Sequence, residues 1–402
     1  MVSVGITGLG SCLPRTIVSN QDLINNGVDT TEEWMLQRTG IKTRRISDKD
    51  ESLPILMSVA AIRALKDAKL SPLDLDYIIA GTNSTDPLLV PQLASRVQYL
   101  IGARNIPSFD VQAGCSGAMY ATEMAVRIIR DIYQTDKENL EKKLKNEKSQ
   151  TDKIIKSKRA KVLVLGGDTL SYVTDIKDKR SSVLLSDGAG AAILEPTYDD
   201  NEGIKHIFNA ANGSIGNLIH YESGFQSPLS SIDPITLETK VTSPGHFIMN
   251  GNSVHKFIGR ISSKVIEDII INSGYSPEIL SDTIIIPHQM NLRSIELCIS
   301  QLEESTGKNP KYVYTDGIIN YGNNSTASTL IGLDETYRSK KLDLDDPVIV
   351  VAFGAGLTWG GYLTRWNKPK PDSPIVYNSK EEEQLKKELN VKYNVWKENL
   401  AK

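Results

Sequence analysis

The chain has three cysteines in 402 residues, Cys12, Cys115 and Cys298. Only Cys115 stands where the local pattern suggests chemistry. Residues 110–125 read DVQAGCSGAMYATEMA. Just upstream, 106–111 (IPSFDV) has the β-branched and aromatic content of a short buried strand. Downstream, 118–132 (AMYATEMAVRIIRDI) spaces its apolar residues like a helix with one buried face. Cys115 therefore falls at a strand-to-helix junction flanked by Gly114, Ser116 and Gly117. Unpaired N–H groups and the positive end of the dipole at a helix start favour a thiolate, the nucleophilic form of cysteine. Free cysteine is also a common small apolar filler, and this stretch alone leaves both readings open.

Acyl chemistry at a thiol needs a group to manage protons and donors to hold a developing oxyanion. Of the five histidines, His206, His220, His246 and His255 have no distinctive neighbours. His288 directly follows TIIIP, a buried strand pattern, and the carboxyl end of a strand is where open α/β folds place their chemistry. Residues 319–328 (INYGNNSTAS) form a Gly-Asn-Asn turn before a small-residue helix. Such a turn either aims the Asn323 amide into a cleft or merely caps the helix. In 352–360 (AFGAGLTWG), Gly354, Ala355 and Gly356 permit close backbone approach and offer N–H donors.

The elements that must carry these groups alternate. Apolar runs of strand length at 75–81, 161–167 and 283–287 are interleaved with helical patterns at 53–70, 91–101, 245–273 and 291–304, which predicts α/β layers with helices covering sheet. Two stretches, SSVLLSDGAGAAIL from Ser181 and PVIVVAFGAGLTWGGYL from Pro347, each read as strand, Gly-Ala-Gly, strand, and predict a duplicated architecture. A lysine-rich segment, 134–161, interrupts the first half and reads as a solvated helical extension or loop, with a basic docking surface as the sharper alternative. After 367 comes a charged helical tail containing Trp396. The expected division is 1–198 for the cysteine half, 199–367 for the half with His288 and Asn323, and 368–402 for the extension.

Composition is that of an ordinary globular protein, with 40% hydrophobic and 24% charged residues. A net charge of -3 gives no reason to expect nucleic-acid or membrane binding. The cysteines have neither metal-ligand nor disulfide spacing, so a reducing, cytoplasmic setting without a metal is expected. MVSVGITGLGSCLP lacks the cationic and apolar regions of a signal peptide, and GLGSCL lacks the third glycine of a dinucleotide fingerprint.

The cysteine motif, PHQMNLR, YGNNSTAS and FGAGLTWG, with EEWMLQRTGIKTRRI at 32–46, occur in the order and spacing of the β-ketoacyl-ACP synthase III family. The chain resembles that family from about Val4 to Trp366. The resemblance implies a thiolase-like α-β-α-β-α fold, usually a homodimer, and a decarboxylative Claisen condensation in fatty-acid or polyketide biosynthesis. In that likeness Cys115 takes the acyl primer, and His288 and Asn323 hold a malonyl-type thioester. The N–H groups of Cys115 and Ala355 form the oxyanion hole. Trp34 and Arg38 would meet coenzyme A, and Asn291 and Arg293 the mouth of the pantetheine channel. Lys256 is a candidate contact for the carrier protein. No cofactor is implied beyond substrates carried on coenzyme A or phosphopantetheine, donated by acyl-CoA, acyl-carrier protein or malonyl-carrier protein.

The acyl pocket is assigned by the same likeness to Val90, Ala118 and Phe353. Val90 and Ala118 stand where relatives often carry phenylalanine, which suggests a primer larger than acetyl and a specialised paralogue. Tyr172 stands where an arginine often meets coenzyme A phosphate, which favours a carrier-bound donor. Two rival functions are an acyltransferase on the same fold, acting on an alcohol or amine, and a non-catalytic partner subunit that binds acyl carriers. The intact Cys115, His288 and Asn323 weigh against the second.

Overall fold

The computed structural model describes residues 2–84, 90–143, 160–199, 201–221, 230–232, 239–241, 247–371, 374 and 376–400. Ten strands form two five-stranded sheets. The first holds β1 (Ser3–Cys12), β2 (Tyr77–Gly81), β3 (Ser108–Val111), β4 (Val162–Thr169) and β5 (Asp187–Thr197). The second holds β6 (Gly203–Ala211), β7 (Ile284–Pro287), β8 (Tyr312–Val313), β9 (Pro347–Gly354) and β10 (Thr358–Arg365). Spatial order in the first sheet is β1-β5-β4-β2-β3, and in the second β6-β10-β9-β7-β8. In both, the first two pairings are antiparallel and the last two parallel. The same order and the same directions in each sheet establish the duplication.

The two glycine motifs, however, are not copies of each other. Residues 181–184 form a turn, and Gly188, Ala189 and Gly190 lie inside the single strand β5. At 354–358, by contrast, a tight turn joins β9 to β10. The true counterparts are β4 with β9 and β5 with β10. A long excursion separates the first pair, so likeness of short strings hid the register of the repeat.

Helices α4 (Gly117–Lys143) and α8 (Ser328–Arg338) lie between the sheets and touch both. The outer face of the first sheet is covered by α2 (Leu53–Ala68), with α3 (Leu93–Ile101) beside it. On the second sheet α5 (Gly251–Asn272) packs with α6 (Leu292–Thr306). Each layer boundary has its own buried apolar cluster: Val164, Met119, Leu330 and Val350 in the middle, Leu56, Val59 and Ile193 on one side, Ile266, Ile285 and Leu363 on the other. The GLGSCL glycines serve this packing: a Cβ at Gly8 or Gly10 would fall 2.2 or 2.3 Å from carbonyl oxygens of α2. They bring helix and strand together.

The cysteine helix α4 runs on to Lys143, into the lysine-rich segment, so the first part of that segment is a helical extension. Positions 144–159 lie outside the described residues. The tail forms α9 (Lys380–Leu400), which packs on α2 and α3. Leu389 and Tyr393 join the outer core, and Trp396 stacks on Tyr393 with ring centroids 5.5 Å apart. Lys386 is fully buried and pairs with Glu51 at 2.7 Å and Glu382 at 2.9 Å.

Candidate active site

Cys115 lies two residues before α4, at the end of the loop that leaves β3. The turn after β9 meets it backbone to backbone. A Cβ on Gly354 would sit 2.5 Å from the Cys115 nitrogen, and one on Gly114 2.4 Å from the Ala355 nitrogen. Only glycine allows this approach, and it directs the N–H groups of Cys115 and Ala355 at the Cys115 sulfur. The residue retains some exposure, yet the protein packed around it pushes the thiol up to about 11. The Ser325 hydroxyl pulls the other way, the Asp168 carboxylate adds to the rise, and the two N–H groups oppose it. The sequence argument expected a helix terminus to favour the thiolate; here desolvation is the larger effect, and the resting group is a thiol.

His288 follows β7 and is almost fully buried. Burial alone drives its pKa down to about 3, so the ring is neutral across the physiological range. Its Nδ1 lies 2.6 Å from Ser328 Oγ, which also accepts the N–H of Gln289 at 3.4 Å. We assign the hydroxyl proton of Ser328 to Nδ1 and therefore the ring proton to Nε2. The imidazole is thereby set as a neutral donor.

Asn323 follows α7 (Asp316–Tyr321) and Gly322. Its backbone is clamped to the first half, N–H to Leu184 O at 2.9 Å and carbonyl from Ser186 N–H at 3.0 Å. Its Oδ1 accepts the Ser325 N–H at 2.9 Å, so the amide's NH2 is left to donate. Asn324 donates to Asp187 O at 2.6 Å and completes the clamp. Ser325 has φ of 51°, a left-handed conformation, and its hydroxyl donates to Cys115 Sγ at 3.3 Å. Within six residues, 323–328, one segment thus carries the amide, touches the cysteine through Ser325 and holds the histidine through Ser328.

Comparison with known proteins places this arrangement. The family described as 3-oxoacyl-[acyl-carrier-protein] synthase III matches residues 149–213, and its C-terminal part matches 280–366. A β-ketoacyl-[acyl-carrier-protein] synthase III of Caldanaerobacter subterraneus subsp. tengcongensis is 35% identical over 368 residues, spanning 91% of this chain and 99% of that protein. The chain belongs to the β-ketoacyl-[acyl-carrier-protein] synthase III family. Among solved structures, the 3-oxoacyl-[acyl-carrier-protein] synthase III of Aquifex aeolicus superposes with a TM-score of 0.70 at 32% identity, covering 90% of this chain and all of its own. The priming β-ketosynthase of the R1128 polyketide pathway gives 0.75 at 26% identity, covering 92% and 97%. The fold is thus the thiolase-like one of these condensing enzymes, and the chain's reaction is a decarboxylative condensation in fatty-acid or polyketide biosynthesis.

The remaining sequence candidates fall into groups. Trp34 and Arg38 lie one turn apart on α1 (Glu32–Thr39) and are exposed. Asn291 caps α6 and donates to Arg38 O at 3.0 Å, while His255 Nδ1 lies 2.9 Å from Ser294 Oγ. These links join α1 and α5 to α6, the helices that carry Arg38, Lys256 and Arg293, all three exposed. Val90 is 80% exposed, away from any core. Ala118 is buried in the central core and Phe353 in the outer core of the second sheet. Among the described residues no helix is long and apolar enough to cross a membrane. Sequence reasoning missed Ser325, Ser328 and Asp168; the hydroxyls at fixed offsets from Asn323 in NNSTAS were the available signal.

Proposed function

We propose that the enzyme runs a ping-pong condensation in which Cys115 accepts an acyl primer and His288 and Asn323 generate the carbon nucleophile. The observation that carries this reading is segment 323–328, which links all three side chains. In the first half-reaction the Cys115 sulfur attacks a thioester of coenzyme A or carrier protein. The C–S bond to the carrier breaks, and the cysteine proton leaves with the carrier thiol, so no net charge is created. The N–H groups of Cys115 and Ala355 hold the oxyanion. A malonyl-type thioester then binds with its carbonyl on His288 Nε2–H and the Asn323 amide. Loss of carbon dioxide leaves an enolate held by these two neutral donors. Its carbon attacks the acyl thioester, the bond to Cys115 breaks, and the released sulfur takes up a proton.

Binding follows the exposed groups. Trp34 offers a stacking face for an adenine, and Arg38, Arg293 and Lys256 offer cations for the phosphates or an acidic carrier protein. The small side chains of Val90 and Ala118 support a primer larger than acetyl. An exposed apolar Val90 supports a homodimer in which that loop meets the partner. The two halves, 1–198 and 199–367, act as one unit, with 368–402 as a brace on the first.

The test is intact-protein mass after exposure to acyl-CoA and acyl-carrier donors from acetyl to long-chain and aromatic, followed by malonyl-carrier protein. A gain absent from Cys115→Ala, and discharged with release of carbon dioxide, is expected. Discharge only onto an alcohol or amine would make this an acyltransferase; gain from acetyl donors alone would remove the large-primer reading.

A further inference from the structure

Asp168 is the penultimate residue of β4 and has no exposed surface. It makes no ion pair among the described residues; seven donors converge on its two oxygens instead. Oδ1 accepts the backbone N–H groups of Asn83 at 2.7 Å and Ser84 at 2.9 Å, with the hydroxyls of Ser84 at 3.0 Å and Thr82 at 3.2 Å. Oδ2 accepts the N–H of Thr326 at 3.2 Å, its hydroxyl at 2.9 Å and Asn83 Nδ2 at 3.3 Å. One oxygen therefore fixes a loop of the first half, and the other fixes the turn that carries Asn323 and Ser325. Asn83 closes the circuit, because its Nδ2 also reaches Ser325 Oγ at 3.2 Å.

We propose that Asp168 is the positioning residue that holds the Ser325 hydroxyl against Cys115, gripping Thr326 directly and Ser325 through Asn83. Ser325 sits in a left-handed conformation that a non-glycine residue adopts at a cost, so an external clamp is needed to keep it there. A carboxylate suits the place because both oxygens accept only; an amide of the same shape would turn its own NH2 toward one of the facing N–H groups. The same strand reinforces the grip two residues earlier, since a Cβ on Gly166 would fall 2.5 Å from the Thr326 carbonyl oxygen. Asp168 touches no reacting atom and acts through Ser325.

The proposal rests on the reading of Cys115 as the acyl-accepting nucleophile. Its test is a double-mutant cycle on the rate of Cys115 acylation by acyl-CoA, followed by intact mass in a single turnover for wild type, Asp168→Asn, Ser325→Ala and the double variant. Each single change is expected to slow acylation by about tenfold, and the double variant to be within about twofold of the slower single. Effects that multiply, as independent structural damage would give, overturn the proposal, as does an Asp168→Asn rate within about twofold of wild type. If Asp168→Asn shows no cooperative melt, Asn83→Ala replaces it; that change keeps the carboxylate and cuts only its link to Ser325, with the same outcomes deciding. If wild-type Cys115 takes no acyl group from any donor, the reaction reading fails by itself. The cycle with Asn83→Ala is then run with iodoacetamide as the electrophile, and multiplied slowing again overturns the clamp.

Discussion

Replacing Ser328 by alanine tests how the imidazole is set to donate. Ser328 Oγ is the group 2.6 Å from His288 Nδ1, in a site where both residues are almost fully buried. Alanine fits the helix that begins there, so the backbone is not challenged. What is lost is the acceptor-side partner that keeps the ring proton on Nε2. An unsatisfied buried nitrogen costs about 1–3 kcal/mol. If that cost falls on the transition state for decarboxylation, the rate drops by about 5- to 140-fold, at roughly 1.4 kcal/mol per decade. In the proposed mechanism, transfer of the primer onto Cys115 uses the N–H groups of Cys115 and Ala355 and is expected within about twofold of wild type. The assay measures the two half-reactions separately: mass gain at Cys115 with an acyl donor, and carbon dioxide released from malonyl-carrier protein. Equal slowing of both, or of neither, would refute the assignment of the donor to Nε2.

Other consequences follow from the buried groups. His288 has a folded pKa near 3, below the ordinary 6.5, so the unfolded chain binds the extra proton first; its contribution to stability is complete above pH 6.5 and declines as pH falls toward 3. Urea midpoints from pH 7 to 4 should therefore fall more steeply for wild type than for His288→Asn, and parallel slopes would contradict this. Because burial holds the Cys115 thiol up to about 11, its alkylation by iodoacetamide should keep rising with pH through 10, and a plateau starting below pH 8 would refute the raised value. Lys386→Met removes the shared cation of Glu51 and Glu382, which keep Arg15 at 3.8 Å and Arg63 at 2.8 Å, and should cost about 3 kcal/mol in chemical denaturation, the low end for breaking a buried pair. A loss below about 1 kcal/mol would mean that α9 is not braced by that cluster.

The parts of this site that were legible in the sequence are those fixed by local chemistry. Cys115 at a strand-helix junction, His288 after a run of isoleucines, and Asn323 in a Gly-Asn-Asn turn each stand out as candidates within a few residues, although each stretch alone leaves a structural reading open. The α/β alternation was legible for the same reason, since strand and helix periods differ. The register of the duplication was not: SSVLLSDGAGAAIL looks like two strands because Val183, Leu184 and Leu185 are apolar. Those three residues instead pack in a turn against Leu23, Met35 and Ile318. The roles of Ser325, Ser328 and Asp168 were hidden for a different reason. The hydroxyls of NNSTAS were visible beside Asn323, but their roles depend on a positive φ at Ser325 and on contacts between residues far apart in the chain. Tail docking was equally hidden, because a charged helix gives no sign that one of its lysines will be buried.

The electrostatics suit an enzyme that must not react with the wrong electrophile. At neutral pH both Cys115 and His288 are uncharged, each held so mainly by burial. A resting thiolate–imidazolium pair would place two desolvated charges in the site before any substrate arrives. In the proposed mechanism negative charge appears only when a thioester carbonyl or an enolate is present to carry it, and the donors assigned to receive it are neutral and already fixed: two backbone N–H groups, one imidazole and one amide. Fixed neutral donors gain most when charge develops and cost little in the ground state, which is what separates transition-state from ground-state binding. The clamp on segment 323–328 matters for that reason, since a donor that had to be oriented during the reaction would return much of the advantage to reorganisation.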